Sequence, residues 1–311
     1  MDEHGRWQPY VITPERAGCP PTADGLAGHL REVDVAALLT VHGALVFRGF
    51  GVEPGTLDPV MDLLLPNRLA YVHGNTPRTK VGDNVYTSTE YPAKYTISMH
   101  NELSYAAHWP SRLLFFCQIA AATGGATPVL DARLWLDLLD PEIREAFAGG
   151  VCYQQNLHDG MGLGKSWQQT FETEDRAEVE GFLAGTGATW KWTSDGLRIS
   201  QVRPATTRHP VTGVEVWFNQ TDQWHPAGLE DDVARVMMQV MTPDELPQSV
   251  TFADGAPIPE EYVRQIRDRG LDAAVDIDWR VGDLMVIDNI LVAHGRRPYT
   301  GDRRILVAMS D

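Results

Sequence analysis

The hydrophobic positions of this chain fall into short blocks separated by polar stretches containing Gly and Pro. Asp34 to Leu39 has the spacing of a short amphipathic helix that closes near Gly43. Ala44 to Phe50 is a short apolar run bounded by glycine, which reads as a buried strand. A second helix is expected from Thr56 to Leu65, stopped by Pro66. Asn67 to Tyr95 is polar and broken, a long loop leading into Met99-His100-Asn101-Glu102. Arg112 to Ile119 and Thr127 to Asp131 read as strands around a Gly124-Gly125 turn, and Leu134 to Ala148 has helical spacing. Val151 to Asn156 returns to β character, and a helix is expected from Asp175 to Leu183. Leu197 to Val202 and His209 to Phe218 read as strands, the second with a hairpin turn at Thr212-Gly213. Helices near Asp231 to Met241 and Glu260 to Asp268 precede a final β block from Asp278 to Met309. The pattern predicts a mainly β, α+β fold with helices outside a β core. Without a repeat or a linker, residues 1–311 are expected to form a single domain, with 1–30 an irregular arm rich in Gly, Pro and Thr.

A chain of 311 residues with 43% hydrophobic content can bury a full core. No apolar run is long enough to cross a bilayer, and the first residues lack a basic-then-apolar signal pattern. Cys19, Cys117 and Cys152 are few, odd in number and not in metal-binding spacing, so reduced thiols in a cytoplasm are expected. The 26 basic residues stand against 42 acidic ones, a net charge of −16, which argues against a nucleic-acid partner. The same excess means that an anionic small-molecule substrate needs local cations. Oligomeric state is not legible.

Candidate chemistry begins at His100 and Glu102. Two apart on a strand, they would project from one face and supply two thirds of a 2-His-1-carboxylate triad for non-heme Fe(II). Alone, His-x-Glu is weak evidence. His294 closes an apolar segment far along the chain and faces a hairpin whose return strand carries Arg304. A planar guanidinium there suits a carboxylate bound through two hydrogen bonds.

The ordered set His100-x-Glu102, Gly124-Gly125-Ala126-Thr127, Trp279-Arg280-x-Gly282-Asp283-Leu284, Asp288-Asn289, His294 and Arg304 resembles the TauD/TfdA family of Fe(II)/2-oxoglutarate dioxygenases. His-Asn-Glu-x-Ser-Tyr, Phe-Phe-Cys and Val-Trp-Phe-Asn-Gln point to its SyrP-like branch, and the likeness runs from about Ala44 to Met309. The resemblance implies a distorted double-stranded β-helix, a jelly roll flanked by helices. It implies that His100, Glu102 and His294 are the catalytic iron ligands, and that Thr127 and Arg304 hold the distal carboxylate of 2-oxoglutarate. Fe(II), 2-oxoglutarate and O2 are then required. Succinate and CO2 are formed as an unactivated C–H of an amino acid, or of an amino-acid-derived natural-product intermediate, is hydroxylated. Two features bear on the substrate. Taurine-type members carry a second arginine four residues after the anchor, where counting from Arg304 gives Ala308, so taurine is not expected. The retained carboxylate of Glu102 argues against a halogenase. Desaturation, cyclisation or epoxidation by the same oxidising chemistry stays open, as do a non-catalytic metal-binding scaffold and a zinc hydrolase.

Further residues carry weaker readings. Arg303 is expected to point away from Arg304's pocket into solvent. Arg112 is expected to meet either a substrate carboxylate or a structural partner. Trp217, Asn219, Gln220 and Trp224 could orient a ligand or pack in the core. The stretches Asn75 to Tyr95 and His158 to Gln169 are lid candidates. Arg296, Arg297 and Arg303 could form a basic patch for a carrier-tethered substrate, although the net charge favours a free small molecule.

Overall fold

The computed structural model describes residues 7–69, 80–82, 84–88, 91–160, 162, 164–229, 231–242 and 245–311, without the side chains of 231 and 233–235. Two facing sheets form the frame. The larger runs in the order Tyr10–Ile12, Ala44–Phe47, Leu284–Asp288, Arg112–Ile119, Arg304–Ser310, Val85–Thr87 and Lys80–Gly82. The smaller runs Val275–Ile277, Thr127–Asp131, Val292–Arg296 and Ile97–His100. Pairing is antiparallel in both, except for Tyr10–Ile12 against Ala44–Phe47.

Alternation along these strands builds two cores. Val46, Phe115, Met285 and Val307 point from the large sheet into a shared cluster with Val129 and Val292 of the small one. Leu45, Phe47, Leu114 and Leu284 point the other way, against Leu26 and Met61 on the helices Ala23–Glu32 and Leu57–Leu64. The central strands are buried on both faces, which is why they read as continuous apolar runs. A third sheet, ordered Thr189–Trp192, Gly196–Arg203, Val151–His158 and Gln248–Phe252, stands beside this sandwich. Among the described residues, no helix is long and apolar enough to cross a membrane.

The N-terminal arm departs from expectation. Pro14–Ala17 and Ala23–Glu32 are helices capped by Thr13 and Thr22, whose hydroxyls accept from backbone N–H groups. Leu26 and Leu30 of the second helix are buried, so the apolar spacing outweighs the Gly and Pro content. The strands Thr189–Trp192 and Gln248–Phe252 were not expected, and His209 to Val214 is the turn between Thr206–Arg208 and Glu215–Trp217 rather than strand. The stretch Asn67 to Tyr95, expected as loop, contains the strands Lys80–Gly82 and Val85–Thr87; of the lid candidates, residues 75–79, 83, 89, 90, 161 and 163 lie outside the described residues.

The turn Trp279 to Asp283 shows how one motif joins the sheets. Gly282 takes φ +88°, the left-handed region open to glycine, and Asp283 is left almost fully buried. Its carboxylate accepts from Arg48 Nε and Nη2 (2.9 and 2.7 Å) and from the Arg280 N–H (3.1 Å). From that turn, Trp279 Nε1 donates to Thr127 Oγ1 on the opposite sheet (2.9 Å).

Gly295 sits between His294 and Arg296 where two strands press together. A Cβ there would lie 2.5 Å from the Ile97 carbonyl oxygen. Gly295→Ala is therefore expected to destabilise the fold by about 1–3 kcal/mol, the usual cost of overpacking, and to weaken divalent-metal binding by parting the Ile97–His100 strand from its partner. Chemical denaturation with a Co(II) titration checks this; wild-type values for both would show that the strands have room to spare.

Candidate metal centre and anion pocket

His100 is the last residue of Ile97–His100 and lies directly across the sheet from His294. Their ring centroids are 4.3 Å apart, and the His294 ring also meets Phe115 edge-on at 5.1 Å. Glu102 joins them. One ligand atom from each of His100, Glu102 and His294 can lie within 4.8 Å of the other two, and all three residues are buried. Two imidazoles and one carboxylate so placed suit Fe(II) with open positions; their chemistry alone also admits zinc. His100 Nδ1 lies 3.0 Å from the Ser98 carbonyl and 2.9 Å from Gln223 Nε2, which also donates to that carbonyl (3.1 Å), so polar groups on the Nδ1 side orient the ring.

The pairing of His100 with Glu102 does not come from strand alternation. The strand ends at His100, and Glu102 lies in the turn beyond it, followed by Leu103 at φ +57°. Asn289 holds this turn. Its Oδ1 accepts from the Glu102 N–H (2.8 Å), and its Nδ2 donates to the carbonyls of Glu102 (3.0 Å) and Pro110 (2.9 Å). Asn101 Nδ2 returns a bond to the Asn289 carbonyl (2.6 Å), and Gln220 Nε2 donates to the Asn101 carbonyl (2.8 Å). Asp288, next to Asn289, caps the N–H groups of Ile290 and Leu291 and meets His209 Nε2 at 3.0 Å.

A cavity beside the histidines is lined by Thr127, Arg296 and Arg303, among others. Arg303 is the correction here. Arg304 is exposed, whereas Arg303 turns inward, its Nε donating to the Gly125 carbonyl (2.9 Å) and its Nη2 to Thr127 Oγ1 (3.3 Å). Arg303, Ile305 and Val307 share the cavity-facing side of their strand, while Leu306 and Ala308 face the other core. Pairing slips by one residue between Arg304 and Ile305, so Arg304 begins the strand at its exposed edge. Because Ile305 to Ser310 is buried on both faces, the apolar pattern cannot say which arginine faces inward. Four residues after Arg303 stands Val307, a cavity-lining apolar residue, not Ala308.

The cavity is cationic. Among the described residues no carboxylate pairs with Arg303, and burial with the nearby charge of Arg296 pushes its guanidinium down to about 10, still protonated at neutral pH. Thr127 Oγ1 accepts two N–H donors, which leaves its own hydrogen for a third group. Arg296 is buried rather than part of a surface patch. It donates to the carbonyls of Tyr91, Pro92 and Tyr95, while Arg297 pairs with Asp276 on the outside.

The other candidates lie elsewhere. Arg112 donates to the Leu64 carbonyl (3.3 Å). Trp217 packs against Trp135 and Phe147 in the core, and Trp224 against Tyr105 and Tyr153. Asn219 bonds to the Ala205 carbonyl and the Thr221 N–H, and Gln220 supports the Glu102 turn as described. None of Arg112, Trp217, Asn219 and Gln220 lines this cavity. Sequence reasoning listed Asp288-Asn289 and Trp279 only as parts of a motif and missed what they support; a buried Asn one residue past an apolar strand was the available signal.

The family model described as Taurine catabolism dioxygenase TauD, TfdA family matches residues 25–309. The chain belongs to this family. It is an Fe(II)/2-oxoglutarate dioxygenase that requires iron, 2-oxoglutarate and O2. It is 39% identical over 277 residues to the dapdiamide synthesis protein DdaC of Enterobacter agglomerans, covering 88% of this chain and 84% of that one. A clavaminate synthase-like protein of Arabidopsis thaliana is 29% identical over 317 residues, covering 97% and 93%. Among solved structures, PvcB of Pseudomonas aeruginosa superposes with a TM-score of 0.54 at 17% identity over 99% of this chain and 88% of that one. An asparagine oxygenase bound to Fe(II), 3-hydroxyasparagine and succinate superposes at 0.56 and 13% identity over 97% and 93%. At such identities the likeness is one of fold, the jelly roll with flanking helices.

Two predictions follow from the supports of the centre. Asn289→Ala would strand the buried polar groups of the Glu102 turn, each at about 1–3 kcal/mol, and is expected to lower divalent-metal affinity at least about tenfold. A Co(II) titration on the folded variant tests it; unchanged affinity would mean the turn holds its shape alone. Asp222, fully buried near Ser98, has its carboxyl pushed up to about 6, chiefly by burial. The folded state therefore binds this proton more tightly than the unfolded state, and the group's contribution to stability falls as pH rises from about 4 to about 6. Asp222→Asn should gain on the wild type across that window, by about 2–3 kcal/mol, and parallel stability curves from pH 4 to 7 would reject this.

Proposed function

We propose that this enzyme hydroxylates an unactivated C–H of an amino acid or an amino-acid-derived intermediate in natural-product biosynthesis. His100, Glu102 and His294 hold the iron, and Arg303 with Thr127 holds the distal carboxylate of 2-oxoglutarate. The observation that carries this reading is a cavity lined by both histidines, by a guanidinium with no carboxylate partner among the described residues and by a hydroxyl able to donate. The names of DdaC, a dapdiamide synthesis protein, and of PvcB, an oxygenase from an isonitrile synthetic pathway, support a biosynthetic small molecule. The asparagine oxygenase supports an amino-acid skeleton. The three unpaired cysteines fit a reducing cytoplasm.

Bound iron with 2-oxoglutarate supplies the oxidant that cleaves a C–H bond. The chain's own part is positioning and exclusion. Thr127 donates its hydroxyl hydrogen to the carboxylate, held in that role by Trp279. Arg303 offers its charge from a half-buried position, where attraction is stronger than in bulk water. Phe115 and Val307 wall the cavity with apolar surface and limit the water that would compete with substrate.

Anaerobic titration with Fe(II) and 2-oxoglutarate, read by the metal-to-oxoacid absorption band, tests the assignment. His294→Ala is expected to abolish the band. Arg303→Ala should raise the half-saturating 2-oxoglutarate by about 10- to 100-fold, as for losing a charged hydrogen bond of about 1.5–3 kcal/mol. Arg304→Ala should stay within about twofold of wild type, as an exposed charge should. The reverse order of the two arginine variants would return the anchor to Arg304.

A further inference from the structure

A second cavity, of about 160 Å³, opens between the third sheet, the turn after Glu102 and the helices Trp167–Phe171 and Arg176–Gly185. Leu103, the residue directly after Glu102, lines it, so one wall of this cavity is continuous in the chain with the turn that carries the carboxylate. The left-handed φ of Leu103 is a conformation a leucine adopts only when its surroundings impose it. Tyr153 ties the same sheet face to the turn: its hydroxyl accepts the Gln220 N–H (2.8 Å), and Gln220 in turn holds Asn101.

The lining is polar but uncharged. Along Val151–His158 the inward residues are Val151, Tyr153, Gln155 and Leu157, and Gln155 breaks the apolar stripe while remaining buried. On the neighbouring strand Leu197, Ile199 and Gln201 share that face, and Gln201 breaks the second stripe. Gln201 gives its carbonyl oxygen to Arg203 (2.8 Å), which leaves its NH2 to offer the cavity. Thr170 and Thr186 donate their hydroxyl hydrogens to helix carbonyls and so present acceptor oxygens. Phe171 and Phe182, edge to face at 5.7 Å, close one side. Among the described residues no Asp, Glu, Lys or Arg lines the cavity, and the histidine that does, His108, is exposed. Gln201, turned inward where an apolar residue would pack at less cost and with its oxygen already engaged by Arg203, points to a ligand with an acceptor for its NH2.

We propose that this cavity is a substrate subsite, which receives the part of the substrate remote from the oxidised carbon and selects an uncharged carbonyl- or amide-bearing group. Its volume matches cavities that accept a benzene-sized group. The proposal rests on the reading that the iron centre oxidises a small molecule, and it narrows that molecule to one whose far end is acylated, amidated or otherwise neutral. A free ammonium or carboxylate there would lose its hydration with no counter-charge to replace it.

Benzamide, benzoate and benzylammonium, similar in shape but neutral, anionic and cationic, form the test. Each is titrated by saturation-transfer NMR against the Zn(II)-loaded, 2-oxoglutarate-bound protein, and proximity to the metal is read from proton relaxation after Mn(II) replaces Zn(II). Benzamide is expected to bind at least tenfold more tightly than either ion and to relax faster with Mn(II). Phe182→Trp, which fills the cavity, should weaken benzamide at least tenfold, and Gln201→Leu should weaken it several-fold; both should keep the Fe(II)/2-oxoglutarate absorption band. Equal binding of benzoate or benzylammonium, absence of benzamide binding, indifference to Mn(II), or indifference to both variants overturns the proposal. Loss of the absorption band in wild type, with benzamide selection intact, would instead overturn the iron reading.

Discussion

The side chain of Asn289 is the constraint on which the centre depends. Glu102 lies beyond the end of its strand, where no ladder fixes its backbone, and the sheet alone would position only the two histidines. Asn289 replaces the missing ladder with one accepted and two donated hydrogen bonds, at a site with no solvent exposure. Because Asn289 follows Leu284–Asp288 of the large sheet, the carboxylate ligand is referenced to one sheet and the imidazoles to the other. The triad is thus a contact between two sheets, and whatever keeps them in register keeps the ligands together. The buried Arg48–Asp283 pair and the Trp279–Thr127 bond act on the same register from the far side.

Charge is arranged locally against the trend of the whole molecule. A net charge of −16 repels anions at long range, but salt screens that field over about 8–10 Å. Inside the cavity the controlling charges are half-buried Arg303, which pairs with no carboxylate among the described residues, and buried Arg296, close enough to perturb it. A neighbouring guanidinium adds to the cost of holding Arg303 charged, and a carboxylate beside it would offset that cost. Arg296 already gives three carbonyl bonds to Tyr91, Pro92 and Tyr95, so a cavity-lining charge also ties the segment before the Ile97–His100 strand in place.

The sequence was informative where residues meet through chemistry and poor where facing decides. His100, Glu102 and His294 were legible because the facial triad needs those residue types in that order, whatever backbone presents them. The route was misread: strand alternation was expected to align His100 with Glu102, and a turn does so instead. Arg303 and Arg304 were exchanged for the related reason that a strand buried on both faces carries no alternation to say which parity faces the cavity. The N-terminal helix Ala23–Glu32 was hidden by flanking Pro and Gly, although Leu26, Ala27 and Leu30 hold its spacing. Asn219 and Gln220 were read as ligand handles because a polar pair after an apolar strand does look like one. Their partners are backbone groups, and only tertiary contact distinguishes the cases.

The exchange of the two arginines alters the argument about substrate as well as the anchor. Counted from Arg304, the place where taurine-type enzymes carry their second arginine falls on Ala308, which faces the helix-covered core and could not touch any substrate. Counted from Arg303 it falls on Val307, in the cavity wall. The exclusion of taurine then rests on a residue with access to the cavity: an isopropyl group offers a sulfonate neither charge nor hydrogen bond and would cost it hydration. An apolar Val307 by the metal candidates and an uncharged cavity behind Leu103 point the same way. On the proposed assignment, the substrate is recognised by shape, apolar contact and neutral hydrogen bonds, and the guanidinium of Arg303 is left to the cosubstrate.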